Sequence, residues 1–253
     1  MRQWLRLLLP RAIRPRRVLG GPLRGVWLVT SWHDYPAALT GRTERALLDW
    51  LRDRVQPGET WLDIGAHYGY TAFAMARLVG PHGRVFTFEP VAATAGYMDQ
   101  GRELNGLTQT TVVPLGLGSA ETLEIRRLPL TRGMADSTLP RGPGKQVVTV
   151  PVARFDWVWP LLHKGDPAIH GVKIDVQGME LEVLAGMQDA LRRWRPRLVV
   201  ELHAGVDRGR LLALLQDIGY STAAVAVDPI GGERIPLFLD NRSYAFDSVL
   251  RTT

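Results

Sequence analysis

The sequence predicts an α/β fold, a mostly parallel sheet with helices on both faces and an antiparallel hairpin at one edge. Three patterns predict it. Short β-branched runs alternate with amphipathic stretches through most of the chain, the mark of βαβ units. A glycine loop from Gly65 to Gly69 joins one such run directly to a helical stretch. The last two strand-like runs follow each other with no helix between them, which calls for antiparallel pairing.

The elements follow in chain order. Residues 1–40 read as a basic N-terminal extension and 41–253 as the folded domain. The first 35 residues carry Pro10, Pro15 and Pro22, which leave room for at most one short helix. Leu47, Leu48, Leu51 and Val55 fall at helical spacing before the Pro57-Gly58 break. A strand from Thr60 to Ile64 then leads to a helix ending at Val79, and a strand from Arg84 to Glu89 leads to a helix ending near Asn105. Thr111 to Leu115 reads as a third strand. From Ser119 to Val152 the rhythm changes: Thr122–Arg126 and Gln146–Val152 flank a loop with Arg132, Met134, Ser137 and Thr138, which predicts a hairpin-like insertion. Alternation resumes with a helix after Asp156, a strand from Gly171 to Val176, one helix from Met179 to Arg193, a strand from Arg197 to Leu202 and a helix from Asp207 to Ile218. Tyr220–Val227 and Tyr244–Leu250 form the closing hairpin.

Composition narrows the function. The 253 residues, 45% of them hydrophobic, suffice for one domain with a full core. The net charge is +6, yet seven of the 31 basic residues precede the first acidic one, Asp34, leaving 24 basic against 25 acidic residues beyond it. A nearly neutral domain without a basic, aromatic-interleaved stripe argues against a nucleic-acid partner. Residues 1–35 read as a solvated arm or a cap. The alternative is a weak membrane-surface contact through Trp4, Leu5 and Leu8, limited by a short, interrupted apolar stripe. Zero cysteines exclude disulfides, thiolate metal sites and cysteine nucleophiles. No apolar run approaches the roughly 18 residues a bilayer requires, and Pro10 cuts Leu7-Leu8-Leu9 short of a signal segment, so a cytoplasmic location is expected.

The loop Asp63-Ile64-Gly65-Ala66-His67-Tyr68-Gly69 follows a buried-strand pattern and runs into a helix from Thr71, where backbone can approach a nucleotide-like ligand closely. Glu89 ends the next strand, 20 positions after Gly69, where a carboxylate accepts hydrogen bonds from both ribose hydroxyls of an adenosine. Dinucleotide loops place a second glycine where this chain has His67, and Asp63 disfavours a pyrophosphate while suiting an ammonium or sulfonium. The loop therefore fits S-adenosylmethionine better than a dinucleotide.

A second strand-to-helix turn, Lys173-Ile174-Asp175-Val176-Gln177-Gly178-Met179-Glu180, ends in titratable groups, and the strand closing on Glu201-Leu202-His203 does likewise. A lysine or aspartate within a buried strand is costly unless it serves a partner. On these two runs, the glycine loop through Thr71, Phe88-Glu89-Pro90 and Arg154-Phe155-Asp156, the chain from about residue 43 to 250 resembles the FkbM family of S-adenosylmethionine-dependent methyltransferases. The resemblance implies a seven-stranded class I methyltransferase fold and O-methylation of a natural product or glycan. Two positions depart from the family pattern, His67 where asparagine is usual and Gln177 where glutamate is usual. Cofactor contacts are expected from Asp63, Gly65, Ala66, His67, Tyr68, Gly69, Thr71, Glu89, Pro90 and Asp175.

Methyl transfer to a hydroxyl needs alignment and a base, for which His203 and Asp175 are the candidates. Mg²⁺ held by Asp175, Glu201 and His203 is the less favoured reading, because magnesium sites ask for more carboxylates than these motifs supply. Glu180 and Glu182 read as first-turn helix residues of structural value. Arg132, Met134, Ser137 and Thr138 are candidates for the wall of a small-molecule or glycan acceptor pocket. The alternative to an enzyme is a protein of the same fold that binds the cofactor without transfer.

Overall fold

The computed structural model describes residues 8–163, 165, 167–228 and 241–248. Its N-terminal part differs from the expectation of at most one short helix. An antiparallel pair, β1 (Arg14–Arg17) and β2 (Trp27–Thr30), precedes a single helical turn, α1 (Pro36–Leu39). Val18, Leu23, Val26 and Leu28 are buried, because the turn between the strands folds their apolar side chains onto the domain. Leu8 is 77% exposed, and Trp4 and Leu5 lie outside the described residues.

Next come α2 (Arg45–Arg54), β3 (Thr60–Ile64), α3 (Tyr70–Val79), β4 (Arg84–Phe88), α4 (Ala92–Leu104) and β5 (Thr110–Val113), all within a few residues of the sequence reading. Alternation within the strands feeds two cores. Leu62 and Ile64 of β3 and Phe86 and Phe88 of β4 face one, whereas Trp61 and Val85 face the other together with α2 and α3.

The middle section is larger than a hairpin. It forms its own sheet from β6 (Gly116–Gly118), β7 (Glu124–Thr131), β8 (Met134–Ala135) and β9 (Val147–Arg154), in the order β6-β9-β7-β8. The helix α5 (Phe155–Leu162) and the strand β10 (Gly171–Ile174) follow. Where one helix was expected from residue 179 to 193 there are two, α6 (Glu180–Gly186) and α7 (Gln188–Trp194), broken at Met187 with φ −126°. Packing enforces the break: Gly186 lies so close to β6 that a Cβ there would overlap the carbonyl of Gly118. Asp156, from the Arg154-Phe155-Asp156 motif, accepts the Asp189 and Ala190 amides at the start of α7.

After β11 (Arg197–Leu202) and α8 (Arg208–Ile218), β12 (Val225–Ala226) and β13 (Arg242–Phe246) close the fold as an antiparallel edge. The main sheet has the order β12-β13-β11-β10-β3-β4-β5, parallel from β11 to β5. This is the seven-stranded class I methyltransferase arrangement that the resemblance implied. The carboxyl ends of β3, β4, β10 and β11 share one rim, where ligands of open parallel sheets bind.

Candidate active site

Five residues turn the chain from β3 into α3. Gly65 and Gly69 have φ of +83° and +87°, which only glycine adopts without strain. A Cβ on Gly65 would overlap the Asp175 carbonyl oxygen, so this glycine lets the loop touch the end of β10. The amides of Gly65 and Ala66 both donate to the Phe88 carbonyl, at 2.9 and 3.1 Å. His67 takes φ +51°, and its Nε2 lies 2.9 Å from the Arg132 carbonyl oxygen. Its ring packs on Tyr35 and Tyr68, and burial lowers its pKa to about 4. It is neutral at physiological pH.

Glu89 is 3% exposed and lines the cavity beside this loop. Its Oε2 accepts the His67 amide and its Oε1 the Val91 amide, both at 2.9 Å. Burial raises its pKa to about 7 against the opposing pull of those two donors. Gly65, Ala66, His67, Thr71, Pro90 and Asp175 also line the cavity. Three expected cofactor contacts do not. The Tyr68 hydroxyl turns away to donate to Asp34 Oδ2 at 3.1 Å. Gly69 caps α3 and packs against Met98 and Phe73. Asp63, fully buried, accepts from Thr71 Oγ1 at 2.6 Å and pairs with Lys173 Nζ at 3.1 Å. The last arrangement answers the cost of a lysine within a strand, since the two carboxylates Asp63 and Asp175 hold Lys173 charged and raise its pKa against burial.

Opposite Glu89 lies a cluster from β10, α6 and β11. Asp175 Oδ2 is 3.4 Å from Lys173 Nζ, and its Oδ1 accepts from Gln177 Nε2 at 3.1 Å. His203 is 3% exposed and does not line the cavity. The reason is Glu180, whose Oε1 sits 2.6 Å from His203 Nδ1 and holds the ring behind the two carboxylates. His203 Nε2 then faces Asp175 Oδ1 and Glu201 Oε1 at 3.6 Å each. Burial pulls the His203 pKa down, but the Glu180 hydrogen bond and the charges of Asp175, Glu180 and Glu201 outweigh it and the net direction is up. Glu201 is pushed up to about 8, by burial first and then by Asp175 and Glu44. Glu180 is thus no ordinary first-turn residue: it is fully buried and bonded to the candidate base. Both read as first-turn helix residues in the sequence, although Glu180 alone closes the Lys173–Glu180 run; Glu182 pairs with Arg126.

The cavity measures about 210 Å³. Leu117, Leu128, Val150 and Val152 of the small sheet give it an apolar wall, and Arg132 and Met134 join them. Ser137 and Thr138, expected with them, instead bond to the Gln177 carbonyl and to Asp136. Asp34, Tyr35 and Glu44 complete the mouth and had no signal in the sequence beyond their charge and ring. The cavity thus combines an apolar wall with the carboxylates of Glu89, Asp175 and Glu201.

A family model described as the methyltransferase FkbM domain matches residues 63–222, more than half of the chain. Over 185 residues the chain is 29% identical to the hexuronic acid methyltransferase AglP of Haloferax volcanii, covering 72% of this chain and 71% of that one. Among solved structures, the FkbM methyltransferase of Methylobacillus flagellatus KT aligns with a TM-score of 0.48 and 17% identity over 78% of this chain. The chain spans 50% of that protein's length. Fibrillarin of Aeropyrum pernix, solved with natively bound S-adenosyl-L-methionine, aligns with a TM-score of 0.49 and 16% identity, covering 93% of this chain and 82% of that one.

Proposed function

The chain belongs to the FkbM methyltransferase family, and from that premise we propose that it binds S-adenosylmethionine in this cavity and methylates an oxygen of a sugar-like acceptor. The supporting observation is that the Gly65–His67 loop, Glu89, Asp175 and Glu201 all line one cavity. When bound, the cofactor supplies an electrophilic methyl group on a sulfonium centre. Glu89 holds the ribose, and the small-sheet wall takes the adenine. Gly65, Ala66, His67, Thr71 and Pro90 shape the bed, while Asp63, Tyr68 and Gly69 hold that bed from behind.

An acceptor hydroxyl is a poor nucleophile until its proton leaves. Asp175 and Glu201 are the carboxylates that reach into the cavity to take it. His203 acts through them as a positioning group, held by Glu180. The relative from Haloferax volcanii is named for hexuronic acid, and Arg132 offers a cation in the cavity wall that would pair with a uronate carboxylate. Titration of the full chain with S-adenosylhomocysteine, followed by labelled methyl transfer to hexuronic acids and to neutral hexoses, tests the reading. Transfer to hexuronic acids above neutral hexoses is expected. Cofactor binding without transfer to any sugar would instead favour a binding-only protein.

A further inference from the structure

The cluster of Asp175, Glu201 and His203 has a geometry that a proton-shuttling role does not require. His203 is 3% exposed, and among the described residues its Nε2 makes no hydrogen bond. It points between two carboxylate oxygens at equal distances of 3.6 Å, and all three ligand-type atoms lie within 4.8 Å of one another. Two ligand atoms each about 2.1 Å from one ion and roughly 110–120° apart are separated by about 3.5 Å. The opposite ring nitrogen is already taken by Glu180 Oε1 at 2.6 Å. With Nδ1 taken by a carboxylate, Nε2 is the nitrogen left to ligate, and an ion there takes the place of the proton that the neighbouring carboxylates otherwise favour; a carboxylate on Nδ1 is the usual support behind a metal-bound histidine. Gln177 Nε2 gives Asp175 Oδ1 the same kind of support at 3.1 Å.

We propose that Asp175, Glu201 and His203 form a binding site for a divalent transition-metal ion of the zinc and manganese class, open toward the cavity. One imidazole with two carboxylates suits such ions better than Mg²⁺, which prefers six oxygens. Three protein ligands and one open position is the pattern of a catalytic rather than a structural ion. Lys173 does not displace the ion, because it is shared between Asp63 at 3.1 Å and the other oxygen of Asp175 at 3.4 Å. Ion binding does not depend on the methyl-transfer reading. Only its use does: the open position takes an acceptor oxygen, and Glu201, ligating through Oε1, keeps Oε2 for the acceptor's proton.

The test is calorimetric titration of the chelator-treated full chain with Mn²⁺ and, separately, with Zn²⁺, alongside S-adenosylhomocysteine. One ion per chain is expected. Glu201→Gln and His203→Gln should each weaken ion binding by about tenfold or more, and Glu180→Gln, acting through the ring, by about tenfold. Glu182→Gln, in an ion pair with Arg126 outside the site, should leave it unchanged. Circular dichroism and retained S-adenosylhomocysteine binding identify the variants that stay folded. A folded chain that binds S-adenosylhomocysteine but neither ion overturns the metal site and leaves the cofactor reading intact. Ion binding unaltered by both Glu201→Gln and His203→Gln overturns the assignment to these residues.

Discussion

Replacing Gly65 by alanine probes the contact on which both halves of the site depend. The new Cβ would overlap the Asp175 carbonyl oxygen and lie 2.8 Å from its carbonyl carbon, with φ at +83°. One of the two backbones must therefore retreat by more than about 1 Å. The left-handed conformation alone costs roughly 1–2 kcal/mol for a residue with a Cβ. The Asp175 amide donates to the Ile64 carbonyl at 2.9 Å across this contact, and a retreat of that size breaks the bond, a loss of about 1 kcal/mol. The sum is roughly 2–3 kcal/mol, a fall of about 4–12 °C in melting temperature for a chain of this length. Affinity for S-adenosylhomocysteine should fall by about tenfold or more, because the loop and Asp175 move apart together. Gly96→Ala is the control: this glycine lies in α4 with open space around its missing Cβ, so alanine should stabilise the chain by about 0.5–1 kcal/mol. Thermal unfolding and calorimetric titration read both effects. A Gly65→Ala chain with parental melting temperature and affinity would show that the loop and β10 are not in the contact described.

Three further outcomes are expected. Asp63→Asn leaves Lys173 with Asp175 alone and should cost roughly 3 kcal/mol in denaturant unfolding, a loss that Lys173→Met in the same chain partly restores; a loss below about 1 kcal/mol would show that the pair is not buried as described. Glu89, raised to about 7 by burial, should bind the cofactor's ribose best when ionised, so S-adenosylhomocysteine affinity should rise as pH rises through about 7, and Glu89→Gln should weaken binding about tenfold and remove that dependence. His67 has its pKa lowered from 6.5 to about 4, so the folded chain binds fewer protons than the unfolded one between these values and stability is lost as pH falls through them; His67→Asn, with a side chain suited to φ +51°, should flatten that limb in unfolding curves compared pH by pH with the parent.

Sheet, helices and the glycine loop were legible because each rests on local pattern. Short apolar runs in β3, β4, β10 and β11, strands buried along nearly their whole length, and the turn glycines name the rim of the sheet before any contact is known. Glu89 was legible for the same reason, as the end of a strand next to the loop. What escaped the sequence depends on direction and distance. Tyr68 sits in the loop but its hydroxyl finds Asp34 across 34 positions, and Glu180 sits two positions from Glu182 but faces inward to His203. The break at Met187 follows from Gly118, which no helical periodicity records.

Among the described residues, the N-terminal segment packs as a cap, one of the two readings its composition allows. Its arginines and prolines describe its exposed side, whereas Val18, Leu23 and Leu28 describe the side that packs on the domain. Tyr35 stacks on His67, Asp34 accepts from Tyr68, and Glu44 lines the cavity from the entrance to α2 at φ +53°. Burial raises the Glu44 pKa and the charge of Asp175 adds to it, so Glu44 and the end of β10 share one electrostatic environment. Through Asp34, Tyr35 and Glu44 this segment lines the candidate cavity. His67 couples the two: the residue that departs from the family's asparagine is the one whose ring packs against Tyr35 and whose Nε2 reaches the Arg132 carbonyl. Asparagine has neither a ring to stack nor the reach to Arg132. The departure at 67 is therefore matched to the wall that this chain's own N-terminal segment builds.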